Sequence, residues 1–370
     1  MKQGWEYKKL GEVCEIYQPR TLSTDMLTNT GNYPVYGANG IIGYYNQYNH
    51  KDQEVLLTCR GATCGTINIS EPYSWINGNA MVIHRKSEEM LFKYLKYLML
   101  SLDYSLIITG AAQPQITRQK LAPTKIKIPP KPTQLSIVSE LDKINELIRL
   151  KKEQLKDYDN LAQSIFYEMF GDPVENEKGW EVKKLGEVCI TITDGDHMPP
   201  PKSESGIPFL TISDINKETR ELDFSNTYFV PIEYYNNLKE ERKAKLNDLL
   251  YTVTGSYGIP VIVKDERQFC FQRHIALIRP QKEVLSTYFL CYWVLSAAVK
   301  SIADKVATGI AQKTVGLNSI RKFEIIIPPL PLQHLFAQRI EQIERQKSAV
   351  QKSITDLETL LASRMQYWFE

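Results

Sequence analysis

The chain has 370 residues, enough for two domains with proper cores, and its composition (43% hydrophobic, 24% charged) is ordinarily globular. A formal net charge of only +2 excludes a globally cationic polyanion binder, so any basic surface must be local. The six cysteines lack the paired spacing of a zinc site, and the most apolar stretch, Tyr288 to Val299, is too short to span a bilayer at about 20 residues. Met1-Lys2-Gln3-Gly4-Trp5 runs into the fold with no secretory signal, so a cytoplasmic protein with reduced cysteines and no membrane contact is expected.

The chain opens on Gly4-Trp5-Glu6-Tyr7-Lys8-Lys9-Leu10-Gly11-Glu12-Val13-Cys14, and ten of these eleven positions recur at 179–189, an offset of 175. Each copy reads as a short strand closed by a glycine turn. Short β-branched and aromatic runs follow, bounded by Gly, Asn and Asp. In the first half they lie at 33–36, 41–45, 55–58, 66–69 and 81–83, and in the second at 208–212, 249–253, 260–263 and 275–278. An apolar helix is expected at 91–101 and again at 286–302.

Thr109-Gly110-Ala111-Ala112-Gln113 then returns as Thr308-Gly309-Ile310-Ala311-Gln312, now at offset 199. Pro129-Pro130 with Pro132 and Gln134 returns as Pro328-Pro329 with Pro331 and Gln333 at the same offset. The unit is therefore one module written twice, far longer than a solenoid repeat of roughly 20–50 residues. Most of the length difference falls between residues 15 and 60. The ends are copied and the middles are not, as expected for a shared frame carrying two different recognition faces.

Each module ends in a long amphipathic helix. Leu141, Ile148, Leu155, Ala162 and Met169 alternate in heptads with Ile137, Ile144, Lys151, Tyr158 and Ile165. The second copy shows the same spacing, interrupted by Lys347 and Arg364. Such a seam favours a coiled coil of helices on the order of 50 Å long. The most economical partner for each helix is the other, antiparallel; periodicity does not choose between that and a helix of another protein.

Catalytic arrangements are missing. There is no Gly-x-x-x-x-Gly-Lys-Ser/Thr loop, no Gly-x-Gly-x-x-Gly after a strand, no Asn-Pro-Pro-aromatic string, and no His-x-x-x-His pair among the five histidines. A non-catalytic protein without cofactor or metal is expected. Local charge says more. Tyr104 to Ser139 contains no acid but holds Arg118, Lys120, Lys125, Lys127 and Lys131, and the acid-free stretch Lys305 to Phe323 holds Lys305, Lys313, Arg321 and Lys322. Two matching basic segments on a nearly neutral chain suggest a polyanion track.

Polar-aromatic loops accompany these segments, where Asn suits adenine and Arg suits guanine in a major groove. The candidate DNA contacts in the first module are Tyr36, Asn39, Arg60, Asn77, Asn79, Gln113, Gln115, Arg118 and Lys120. In the second they are His197 (within Asp194-Gly195-Asp196-His197), Ser256, Tyr257, Gln272, Arg273, Gln312 and Lys313.

Taken together, Trp5-Glu6 with Leu10-Gly11-Glu12, Tyr33 to Gly40, Thr109-Gly110 with Gln113, Ile128-Pro129-Pro130, Asp194-Gly195 with His197, Pro208-Phe209-Leu210, Gln272-Arg273 and Pro328-Pro329 resemble the specificity subunit of type I restriction–modification systems. The resemblance covers essentially the whole chain. One departure is Pro-x-Gln at 132–134 and 331–333, where the family often has Pro-x-x-Glu-Gln. The resemblance implies an α/β (α+β) fold of two strand-rich target recognition domains (1–132 and 173–331). Two long helical regions (133–172 and 332–370) would pack as an antiparallel coiled coil. It also implies double-stranded DNA, two methyltransferase subunits and restriction–translocase subunits as partners. A protein-binding scaffold, or a self-contained DNA-modifying enzyme, are the rival classes. The first predicts no sequence-dependent DNA affinity, and the missing motifs oppose the second.

Overall fold

The computed structural model describes residues 4–110, 113–195, 197, 200–309 and 312–370. Ala111-Ala112 and Ile310-Ala311 of the repeated Thr-Gly strings, Asp196, Met198-Pro199, and the first three residues lie outside these. The chain divides into two compact units, one of residues 1–152 with 352–370 and one of 153–351. The divisions cut across the long helices Lys131–Phe170 and Leu330–Phe369, not at their ends.

Both units use one plan. In the first, a four-stranded antiparallel sheet takes the order Cys14–Tyr17, Ala80–Arg85, Val55–Thr58, Ile67–Ile69. A three-stranded sheet sets Tyr33–Gly37 between Gly40–Tyr45 and Trp75–Ile76. The second unit repeats the first sheet as Cys189–Asp194, Ile275–Pro280, Leu249–Thr252 and Pro260–Ile262. It repeats the second as Ile207–Leu210 between Tyr228–Val230 and Cys270–Phe271. The inner strands are buried on both faces, so Val55-Leu56-Leu57-Thr58 and Leu249-Leu250-Tyr251-Thr252 read as continuous apolar runs without alternation.

The copied opening is a strand whose partner lies at the far end of the module. Glu6–Lys9 pairs antiparallel with Lys125–Ile128, and Glu181–Lys184 pairs in the same register with Glu324–Ile327. The expected glycine turn is a single helical turn (Leu10–Val13), capped where Glu12 accepts the Lys9 N–H at 2.9 Å. Cys14 and Cys189 follow as buried core residues, and burial pushes both thiols up to about 12.

Two readings are corrected. The helix expected over 286–302 is two, Thr287–Leu295 and Ala297–Val306, broken at Ser296, whose extended backbone lets its Oγ accept the Val299 N–H at 3.3 Å. The heptad seam also drifts. Ile137, Leu141, Ile144, Ile148 and Ala162 are buried as expected, but Phe166 and Phe170 are fully buried in place of Ile165 and Met169. A straight helix of 3.6 residues per turn slips about 20° per heptad against a strict seven-residue repeat. The stripe therefore follows the straight-helix period, and Phe166 and Phe170 pack against Phe289 and Phe336, mostly edge to face.

The long helices pack together. In the first unit Arg364 pairs with Glu140, and Lys152 Nζ lies 2.8 Å from Glu358 Oε1. In the second, Lys347 Nζ lies 2.9 Å from Asp159 Oδ1. Partners that rise in number along one helix fall along the other, so the pairing is antiparallel. The two polar interruptions of the seam, Lys347 and Arg364, each find a carboxylate on the central helix.

Candidate nucleic-acid interface

In the first unit, strand Val55–Thr58 runs out into Cys59, Arg60 and Gly61, and Thr109 and residues 113–116 lie beside it. Arg60 and Thr109 both bridge to Gln115. The Gly61 N–H donates to the Pro114 carbonyl at 3.0 Å and the Ile116 N–H to that of Cys59 at 3.0 Å. The second unit ties the same knot with other side chains. Thr254 and Thr308 bridge to Thr314, the Gly255 N–H donates to the Lys313 carbonyl at 3.0 Å, and the Val315 N–H to that of Val253 at 2.9 Å.

The repeated Thr-Gly string has a backbone cause. Gly110 and Gly309 sit at φ 90° and 110°, and a Cβ there would meet the Gln113 and Gln312 carbonyl oxygens at 2.4 and 2.3 Å. Only glycine fits.

Around the first knot the fold gathers loops from distant parts of the chain. Thr58 Oγ1 donates to the Ala38 carbonyl, which brings the turn carrying Asn39 beside it, and Asn39 Oδ1 accepts from Asn68 Nδ2 at 3.0 Å. Gln18 Nε2 reaches Cys59 Sγ (3.1 Å) and the Gly78 carbonyl (2.8 Å), and Cys59 Sγ donates to the Asn79 carbonyl (3.3 Å). Asn39, Arg60, Asn79, Gln113 and Gln115 are exposed there, as are Arg118 and Lys120 on the short turn Arg118–Leu121.

Tyr36 and Asn77 lie inside instead. They are 5% and 3% exposed. The Tyr36 hydroxyl accepts the Glu71 N–H at 3.1 Å, and Asn77 Oδ1 accepts the Leu22 N–H (2.7 Å) and Trp75 Nε1–H (3.2 Å). Both shape the loops from within. Gln18, exposed at this face, was missed because it lies in the uncopied middle and no repeat flags it.

In the second unit the Val253 N–H donates to the His274 carbonyl (2.9 Å) and the Gly195 N–H to that of Ile275 (3.3 Å). Those bonds tie the segments that carry Arg273 and His274 to the end of strand Leu249–Thr252 and to Gly195. His197 Nε2 lies 2.9 Å from Asp194 Oδ2, Ser256 Oγ accepts from Lys217 Nζ at 2.9 Å, and the Tyr257 hydroxyl donates to Asp304 Oδ1 at 2.6 Å. That last bond holds the Tyr257 phenol above its ordinary pKa. His274 is lowered, first by burial and then by Arg273. Gln312, Lys313 and Arg273 are exposed and Gln272 half-buried. Arg321 is partly committed to the fold, donating to the Ile192 carbonyl and to Asn318 Oδ1. Among the described residues no cluster of three or more His, Cys, Asp or Glu could hold a metal, and no helix is long and apolar enough to cross a membrane.

A mixed fold written twice, with two differing polar faces on one copied frame and two long paired helices, defines a duplicated recognition protein. Residues 2–157 and 177–359 match the type I restriction modification DNA specificity domain, and the chain belongs to that family. It is similar to a type I restriction enzyme specificity subunit of Haemophilus influenzae, 25% identical over 94% of this chain and 90% of the relative. It is also similar to the MjaIX specificity subunit of Methanocaldococcus jannaschii, 24% identical over 83% of this chain and 74% of that one. Among solved structures, the type I restriction–modification S subunit from M. genitalium superposes with a TM-score of 0.57 at 12% identity, covering 99% of this chain and 96% of that one. A chain from a structure of complex assembly and conformational transition in the type I system gives a TM-score of 0.60 at 19% identity, covering 99% and 97%. The chain is a type I specificity subunit with two repeated target recognition domains.

Proposed function

We propose that each recognition domain reads one half of a split, asymmetric sequence in double-stranded DNA, and that the paired helices set the spacer and dock two methyltransferase subunits. Restriction–translocase subunits complete the complex, and the chain itself carries out no chemistry. The observation that carries this reading is the duplicated knot. Arg60–Gln115 in one unit and Thr254–Thr314 in the other occupy one backbone frame with different side chains. One frame used twice with different side chains suits two unlike half-sites. Exposed Arg118, Lys120 and Lys313 supply phosphate contacts that position the protein, and Asn39, Arg60, Asn79, Gln113, Gln115, Arg273 and Gln312 address base edges.

The test exchanges residues 15–108 for those of another family member and sequences the methylation pattern of cells carrying the complete system. One half of the methylated sequence changes and the other stays. Change in both halves, or in neither, rejects the modular reading.

A further inference from the structure

In the first unit, strands Tyr33–Gly37 and Gly40–Tyr45 are joined by the tight turn at Ala38 and Asn39. In the second, the matching strands are separated by residues 211–227. These fold out into a hairpin, Ile215–Asn216 against Glu221–Leu222, with no counterpart among the described residues of the first unit. Asn216 shapes its turn, its Oδ1 accepting the Glu218 and Thr219 N–H groups at 2.9 and 3.0 Å.

Arg220 closes the turn at φ 55°, a left-handed conformation that a residue with a long side chain rarely adopts. Its N–H donates to the Asn216 carbonyl at 2.9 Å, and its side chain, only 18% exposed, donates through Nη2 to Asp159 Oδ1 on the central helix at 2.6 Å. The same oxygen accepts Lys347 Nζ of the C-terminal helix at 2.9 Å, and Lys347 reaches Glu344 Oε1 at 3.2 Å. Three elements thus meet at one carboxylate. At the other arm of the turn, Lys217 Nζ donates to Ser256 Oγ, in the Gly255-Ser256-Tyr257 loop beside the Thr254–Thr314 bridge. The counterpart of Asp159 in the first unit, Glu358, takes Lys152 of the central helix.

We propose that the 216–220 turn is a strut linking the paired helices to the second recognition loop, with Arg220 and Lys217 as positioning residues for the half-site that this domain reads. Coupling through a physical chain of bonded groups needs each link in place, and here every link is a single charged or hydroxyl contact. The first domain holds its loops by the Ala38–Thr58 and Gln18–Cys59 contacts. Sequence choice in the two domains therefore depends differently on the helices.

This inference rests on the DNA-specificity reading above, and one experiment separates their failures. The complete complex with its methyltransferase subunits is assayed on duplexes carrying the sequence it methylates and on a set with one base pair changed at a time. A wild-type complex that discriminates at no position overturns the specificity reading itself. Given discrimination, Lys217→Ala, an exposed change, and Arg220→Asn, which tolerates the left-handed turn, lower it about 2- to 30-fold at the base pairs of one half only. Discrimination unchanged in both variants, or lost equally across both halves, overturns the strut.

Discussion

Gln134 and Gln333, 199 positions apart, make the same three hydrogen bonds. Gln134 Oε1 accepts the Leu91 N–H at 2.9 Å, and its Nε2 donates to the Glu89 and Pro129 carbonyls at 3.0 and 2.9 Å. Gln333 Oε1 accepts the Ser286 N–H at 2.8 Å, and its Nε2 donates to the Val284 and Pro328 carbonyls at 3.1 and 2.8 Å. Leu91 and Ser286 are the N-caps of the helices Phe92–Ser101 and Thr287–Leu295, so each glutamine rivets the start of a long helix to its recognition domain. Both are buried at 1% exposure or less, so removing the amide strands backbone groups away from water. Gln134→Leu or Gln333→Leu should cost several kcal/mol, about 1–3 kcal/mol for each backbone group left unsatisfied, read by denaturant unfolding. Gln134→Glu should be at least as damaging, because a carboxylate oxygen would then face two carbonyls.

Gly110→Ala and Gly309→Ala test the backbone frame of the two interfaces. At φ 90° and 110°, with a carbonyl 2.4 or 2.3 Å from the new Cβ, the turn must open. The expected cost is about 1–3 kcal/mol at the turn. Each alanine should weaken binding of the methylated sequence roughly tenfold or more, while the unfolding free energy falls by no more than the strain at the turn. Unchanged DNA affinity in both would mean that neither turn shapes a contact.

Much of this was legible from repetition. The copied strings marked the opening strands, the Thr-Gly turns and the helix starts, because strict backbone or burial demands forced the same residues twice. What stayed hidden depended on long-range closure. Lys125–Ile128 gives no sign in sequence that it pairs with Glu6–Lys9, more than a hundred residues earlier. The hairpin at 215–222 is too short to show a period. Tyr36 and Asn77 share the composition of base-reading loops, yet strand Trp75–Ile76 pairs parallel with Tyr33–Gly37 and carries both inward. Ile165 and Met169 were misplaced by the small mismatch between 3.5 and 3.6 residues per turn, which accumulates along a 40-residue helix.

Glu140 gives the helix pair a pH signature. Hydrogen bonding from Arg364 holds its carboxyl below the usual carboxylate range, partly opposed by burial and aided by the Trp368 Nε1–H at 2.9 Å. A depressed folded pKa contributes stability that is present above the unfolded value and is lost as pH falls through the folded one. Glu140→Gln should therefore be less stable than the parent at pH 7, with the gap closing as pH drops below about 4. Melting temperatures of the two proteins across pH 3–7 would show it; a gap that stays constant would remove Glu140 from the account.

Phosphate and base contacts separate by salt. Arg118→Ala and Lys120→Ala should each weaken binding similarly on all sequences and flatten the slope of log K against log salt by about 1. Arg60→Ala should instead cost about 1–3 kcal/mol on the methylated sequence and relax choice at one base pair. Titrations at several salt concentrations on matched and altered duplexes distinguish the two. If Arg60→Ala weakened every duplex alike, Arg60 would belong with the phosphate contacts.

The helices make the most demanding prediction. Lys347 pairs with Asp159 at one level of the helix pair and Arg364 with Glu140 farther along it, so an insertion in one helix alone cannot keep both pairs in register. A four-residue insertion between Ile148 and Leu155 alone should therefore prevent assembly. A matched insertion between Lys347 and Ile354 restores the pairing of the outer segments and lengthens both helices by one turn of about 5.4 Å. With base pairs stacked about 3.4 Å apart, the methylated sequence should gain about one to two base pairs of spacer with both half-sites unaltered. Methylome sequencing of cells carrying the doubly extended chain reads this directly. An active complex with its original spacer would show that the helices dock partners but do not measure DNA.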